Sequence, residues 1–121
     1  MKKILLFIGS ILLFSGCSSK LTIEEIKNLM NENEYIIIDV RTRQEFEEEH
    51  LEGAINITVD ELSSSVFDKE KIIFVYCTSG NRSKSAYNFL QNSGYKVYDL
   101  GALSNIELPK EVGVVEVNGE E

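Results

Sequence analysis

Two uninterrupted apolar runs limit what this 121-residue chain can become: Tyr35-Ile36-Ile37-Ile38 and, after Lys71, Ile72-Ile73-Phe74-Val75-Tyr76. A strand with one face in water alternates apolar and polar residues. Unbroken β-branched and aromatic runs of this length belong to strands covered on both faces, as in a parallel sheet. The segments around them have helical character. Thr22-Ile23-Glu24-Glu25 reads as a capping box, opening a helix that carries Ile23, Ile26, Leu29 and Met30 at core spacing. RTRQEFEEEH, Arg41 to His50, reads as a solvated helix with Phe46 turned inward. Gly53 to Ile57 is a second, short strand, and Asp60 is placed to cap a short helix through Leu62. Ser83 to Asn92 forms a helix with Ala86, Phe89 and Leu90 on its buried side, ended by Gly94 in a left-handed conformation. Lys96 to Leu100 is a fourth strand. Past Gly101 the pattern weakens: Pro109 interrupts it, and GVVEV from Gly113 offers an edge strand. Strands alternating with helices predict a small α/β domain over 22–121, a mainly parallel sheet of four to five strands flanked by helices.

The beginning of the chain is not part of that domain. MKK is followed by eleven residues, Ile4 to Phe14, dominated by apolar side chains, then by Ser15-Gly16-Cys17. A spanning helix needs about 20 residues, so the run has the proportions of a secretory signal. It resembles the bacterial lipoprotein signal, whose cysteine is lipidated and becomes the first residue. The resemblance implies a signal over 1–16, a lipid on Cys17, a short tether over 17–21, and a domain held at the outer face of the cell membrane. Phe14 stands where that family usually has leucine.

Charge excludes one class of function. Cleavage before Cys17 removes Lys2 and Lys3, leaving 10 basic residues against 20 acidic ones and a net charge near −10. So acidic a surface repels nucleic acid, and no nucleic-acid partner is expected. With Cys17 lipidated, Cys77 is the one thiol left in an exported domain, a setting in which an odd cysteine is flagged as reactive.

Cys77 follows the best strand directly and leads through Thr78, Ser79, Gly80 and Asn81 to Arg82 and Ser83, where the next helix begins. Ligands gather at the carboxyl ends of strands in an open parallel sheet. Gly80 accepts positive φ without penalty, so successive N–H groups can turn inward around the sulfur as an anion-binding nest, reinforced by the helix N-terminus and by Arg82 and Lys84. These terms favour thiolate, and a Cys77 pKa below the ordinary thiol value is expected. A merely structural buried cysteine would need neither the amide-rich loop nor the arginine.

CTSGNRS resembles the active-site loop of the rhodanese (sulfurtransferase) family, a six-residue cradle from cysteine to arginine. DVRTRQEFEEEHLEGAINI, from Asp39, resembles that family's second signature. The resemblance implies that Cys77 is the catalytic nucleophile and that Thr78, Ser79, Gly80, Asn81, Arg82 and Ser83 surround the transferred sulfur. It assigns Asp39, Arg41 and His50 to structural support, with no metal and no cofactor. The implied reaction takes a sulfane sulfur from a small anionic donor such as thiosulfate and passes it, through a persulfide on Cys77, to a thiol or cyanide acceptor. Cysteine-type phosphatases have a related loop with five residues between cysteine and arginine; this chain has four, a ring better suited to one sulfur atom. A non-catalytic binding module or a redox relay is the remaining alternative. The chain departs from the family after its last strand, where Gly101-Ala102-Leu103-Ser104 replaces the usual glycine pair and tryptophan.

Overall fold

The computed structural model describes residues 21–113. The signal, Cys17 and, apart from Gly113, the edge strand expected in GVVEV lie outside the described residues. Within them the chain runs α1 (Ile23–Glu32), β1 (Tyr35–Asp39), α2 (Arg43–Glu48), β2 (His50–Leu51), β3 (Ile55–Asn56), a 3-10 segment (Val59–Ser64) and β4 (Ile72–Cys77). It continues through α3 (Asn81–Asn92), β5 (Val97–Ala102), a 3-10 turn (Leu103–Asn105) and β6 (Lys110–Glu111). Strands β3-β1-β4-β5 form one parallel sheet in that order, while β2 and β6 pair antiparallel as a separate ribbon.

β4 is the centre of this sheet, and all six of its residues are buried. Successive side chains on a strand point to opposite faces. Phe74 and Tyr76 therefore join Ile26, Phe46 and Leu103 on the α1 side. Ile73, Val75 and Cys77 join Ile38, Ala86 and Leu90 on the α3 side. The expectation of a strand covered on both faces is met, and the odd register of Cys77 fixes which layer its sulfur meets.

The same four-residue device opens three of the helical segments. Thr22 Oγ1 accepts from the Glu25 N–H at 3.1 Å while Glu25 Oε1 accepts from the Thr22 N–H at 2.8 Å. Thr42 and Glu45 repeat this at 3.2 and 3.0 Å, and the Thr58 N–H donates to Glu61 Oε1 at 3.0 Å. Thr58, not Asp60, thus precedes the first turn of the 3-10 segment; its extended backbone (φ −67°, ψ 162°) puts Asp60 inside that turn.

α3 differs from expectation in two ways. It begins at Asn81 rather than Ser83, because Gly80 takes a left-handed conformation (φ 98°) and turns the chain directly into the helix. Its buried stripe is Ser83, Ala86 and Leu90, and at 100° per residue Phe89 lies about a quarter-turn off the centre of that stripe. Phe89 is 41% exposed. Gly94 takes the expected left-handed turn (φ 95°) beyond the helix. The tail after β5 is a 3-10 turn and then β6, with Lys110 opposite Leu51 and Glu111 opposite His50.

Candidate active site

The early start of α3 decides what surrounds Cys77. The first N–H groups of a helix have no intrahelical acceptor, and a side chain usually supplies one. Gly80, the residue before α3, has no side chain, and Cys77 Sγ takes the role instead. It accepts from the Gly80 N–H at 2.9 Å and from the Ser83 N–H, in the first turn, at 3.3 Å. The sulfur is sealed from solvent, among Val40, Leu62 and Ala86, yet these peptide hydrogens point at it. Burial pushes the thiol pKa up. The Ser83 hydroxyl and the amides of Ser83, Gly80 and Ser79 push it down and prevail, so it lies below the ordinary value. The Ser83 hydroxyl has one proton to give; it lies 3.2 Å from the Gly80 carbonyl and can turn from that oxygen to the sulfur.

The other loop residues are placed unequally. Thr78 and Ser79 are exposed, Asn81 is exposed as the first residue of α3, and Ser83 is buried. Of the expected set from Thr78 to Ser83, Gly80 and Ser83 supply the amides bonded to the sulfur. The Lys84 side chain is exposed on the helix. Arg82 is bound in a fork by Glu45, Nη1 to Oε1 at 2.9 Å and Nη2 to Oε2 at 3.2 Å. The Thr78 hydroxyl donates to Glu45 Oε2 at 3.3 Å. Glu45 therefore caps α2 and closes the thiol loop with one carboxylate, and its bonds to Arg82 above all, then those to the Thr42 backbone and side chain, hold its pKa down to about 2 against the effect of burial. In the sequence, the only local signal for Glu45 is the Thr42-x-x-Glu45 spacing, which marks a helix cap and not a partner of Arg82.

Beneath the loop, Asp39 and Arg41 form a buried fork, Nε to Oδ1 at 2.9 Å and Nη2 to Oδ2 at 2.7 Å. Arg41 Nη2 also donates to the carbonyls of Glu45 and Glu49. The Asn56 side-chain amide donates to the carbonyls of Asp39 and Arg41, both at 3.0 Å, and the Val40 N–H donates to the Tyr76 carbonyl at 3.2 Å. The end of β1 is thereby fixed to the residue before Cys77. Tyr76, also missed, accepts from the Leu51 N–H at 3.0 Å, and burial followed by the Asp39 carboxylate drives its phenol pKa up. His50 is buried and stacked on Phe46 at 3.7 Å. Its Nδ1–H donates to the Phe46 carbonyl at 2.7 Å, and Nε2 lies 3.0 Å from Glu111 Oε2. Its bonds thus tie α2 to β6. A cleft of about 390 Å³ opens beside the loop, lined by Val40, Thr42, Thr58, Val59, Arg82 and Ser85 among others.

Residues 22–105 match the model of the rhodanese-like domain. The chain belongs to this family. Residues 1–18 match a prokaryotic membrane lipoprotein lipid attachment site, and among the described residues no helix is long and apolar enough to cross a membrane. The rhodanese-like domain is 38% identical over 81 residues to the thiosulfate sulfurtransferase PspE of Escherichia coli, covering 63% of this chain and 78% of that protein. It is also 38% identical over 88 residues to a probable molybdopterin-synthase adenylyltransferase of Porphyra purpurea, covering 67% of this chain but 23% of that longer protein. A solved E. coli structure described as a rhodanese with anions superposes with a TM-score of 0.60 at 37% identity, over 65% of this chain and 99% of the other. The small α/β fold with a four-stranded parallel sheet is that of its rhodanese neighbours.

Proposed function

We propose that the protein is a rhodanese-type sulfurtransferase, with residues 1–16 removed as a signal, Cys17 lipidated and residues 17–21 tethering the domain 22–121 to the outer face of the cell membrane. The observation that carries the catalytic reading is the pair of amide hydrogens directed at Cys77 Sγ. They favour thiolate, which is the nucleophilic form, and remain in place to stabilise charge on a second sulfur atom. The thiolate attacks the outer sulfur of a donor such as thiosulfate. An S–S bond forms to Cys77, the donor's S–S bond breaks, and sulfite leaves with the electron pair. An acceptor thiolate or cyanide then attacks the outer sulfur of the Cys77 persulfide, and Cys77 leaves again as thiolate. This is two-step covalent catalysis with ping-pong kinetics. Asp39, Arg41 and His50 act as support, Arg82 closes the loop through Glu45, and no metal or organic cofactor takes part.

The test is intact-protein mass spectrometry after thiosulfate treatment. The expected result is a gain of one sulfur that cyanide removes and that Cys77→Ser abolishes. Turnover of an aryl phosphate that depends on Cys77, with no added sulfur, would overturn this reading in favour of a phosphatase.

A further inference from the structure

The chain enters its domain at the same end of the sheet as the thiol loop. Leu21 packs with the core that contains Leu100, Leu103 and Ile106, and it lines a hollow with Leu100, Asp99 and Ile106. In β5, Gly101 stands opposite Tyr76 and Ala102 opposite Cys77. Leu100 is therefore about 7 Å along the strand from the rung that carries the thiol, and β5 lies one strand spacing, about 5 Å, from β4. Leu21 sits on the α1 side of the sheet and Cys77 on the α3 side, but both are at its carboxyl end.

Cys17 is four residues from Leu21. Whatever conformation they adopt, four residues reach at most about 14 Å. A small domain is about 30 Å across, so a lipid on Cys17 keeps this one against the headgroups by the end that carries the loop. We infer that the anchored protein presents its thiol loop toward the bilayer, in a gap too narrow for a folded partner, and that its sulfur acceptor is a low-molecular-weight thiol rather than a protein. The inference rests on the sulfurtransferase and lipid-anchor readings above. One feature of the site agrees with it independently of the tether: the cleft beside Arg82, about 390 Å³, has the volume of a small-molecule site.

The experiment uses the lipidated full chain in phosphatidylcholine vesicles, which are zwitterionic, so the protein's acidity does not decide its orientation. In a Cys77→Ser background, a fluorophore is attached through Ser104→Cys, just beyond β5, or through Glu70→Cys, before β4; both positions are exposed. Spin-labelled headgroups are expected to quench the first at least several-fold more strongly than the second. With Cys77 intact, a Gly/Ser segment of about 20 residues inserted between Ser19 and Lys20 gives a reach of about 25 Å. Transfer to reduced thioredoxin is expected to rise tenfold or more with this tether, while transfer to cyanide and to a small alkyl thiol stays unchanged. Equal quenching at the two positions, or transfer to thioredoxin that does not rise with the longer tether, overturns the inference. The readings beneath it fail differently: a chain that does not float with the vesicles removes the anchor, and a thiosulfate-treated chain with no cyanide-labile sulfur removes the chemistry.

Discussion

At Cys77 a sulfur atom stands where serine, threonine or aspartate usually begins a helix, and its chemistry follows from that substitution. The pH at which alkylation of Cys77 is half-maximal is expected to fall below the free-thiol value of about 8.5, and Ser83→Ala is expected to move it upward, since the Ser83 hydroxyl leads the favourable contacts. The folded state favours the thiolate, so the stability this group contributes is fully present above the unfolded thiol's value and is lost as pH falls through the lowered folded value. Urea midpoints taken across that window should decline toward low pH in the wild type and stay flatter in Cys77→Ser. At Asp39 the expectation concerns stability alone. Asp39→Ala leaves the Arg41 guanidinium, whose side chain is 7% exposed, without its buried partner, and should cost about 3–5 kcal/mol in urea unfolding. Cys77 and Arg82 were legible because cysteine, glycine and arginine sit together in seven residues. Glu45 was not, because a glutamate within EFEEE reads as solvent-facing and its bond to Arg82 spans 37 residues, a separation to which no local period responds.

Among the elements, α3 depends most on one backbone conformation. A Cβ at Gly80 would meet nothing within 4 Å, so Gly80→Ala costs only the left-handed strain, about 1–2 kcal/mol. It should lower the urea midpoint while the protein still folds. Loss of folding altogether would show that the loop has less freedom than its open surroundings indicate. The long strands were readable because continuous apolar runs have no other use in a chain of this size. β2 and β6, two residues each, were not readable: they are too short to carry a period and are joined by the contact of His50 with Glu111. The three Thr-x-x-Glu starts show how reading stops short. Thr22 was recognised because an apolar helical face follows it, whereas Thr42 is followed by Phe46 alone and Thr58 by Val59 and Leu62 alone, too few apolar residues to show a period.

For the molecule as a whole, self-repulsion is the governing electrostatic term, because a formal charge of −8 is spread over a small chain. Raising salt from about 10 mM to about 150 mM shortens the Debye length from about 30 Å to about 8 Å. The melting temperature of the domain should rise, although the partly exposed pair of Arg82 and Glu45 weakens under the same screening. A melting temperature that falls with salt would make local pairs, not net charge, the larger effect. Concealment of the sulfur has a further consequence for the extracytoplasmic sulfurtransferase proposed above. Peroxide and other oxidants can reach Cys77 Sγ only through local opening of its cover, so oxidative damage should run slower than at an exposed thiol by the fraction of time that cover is open.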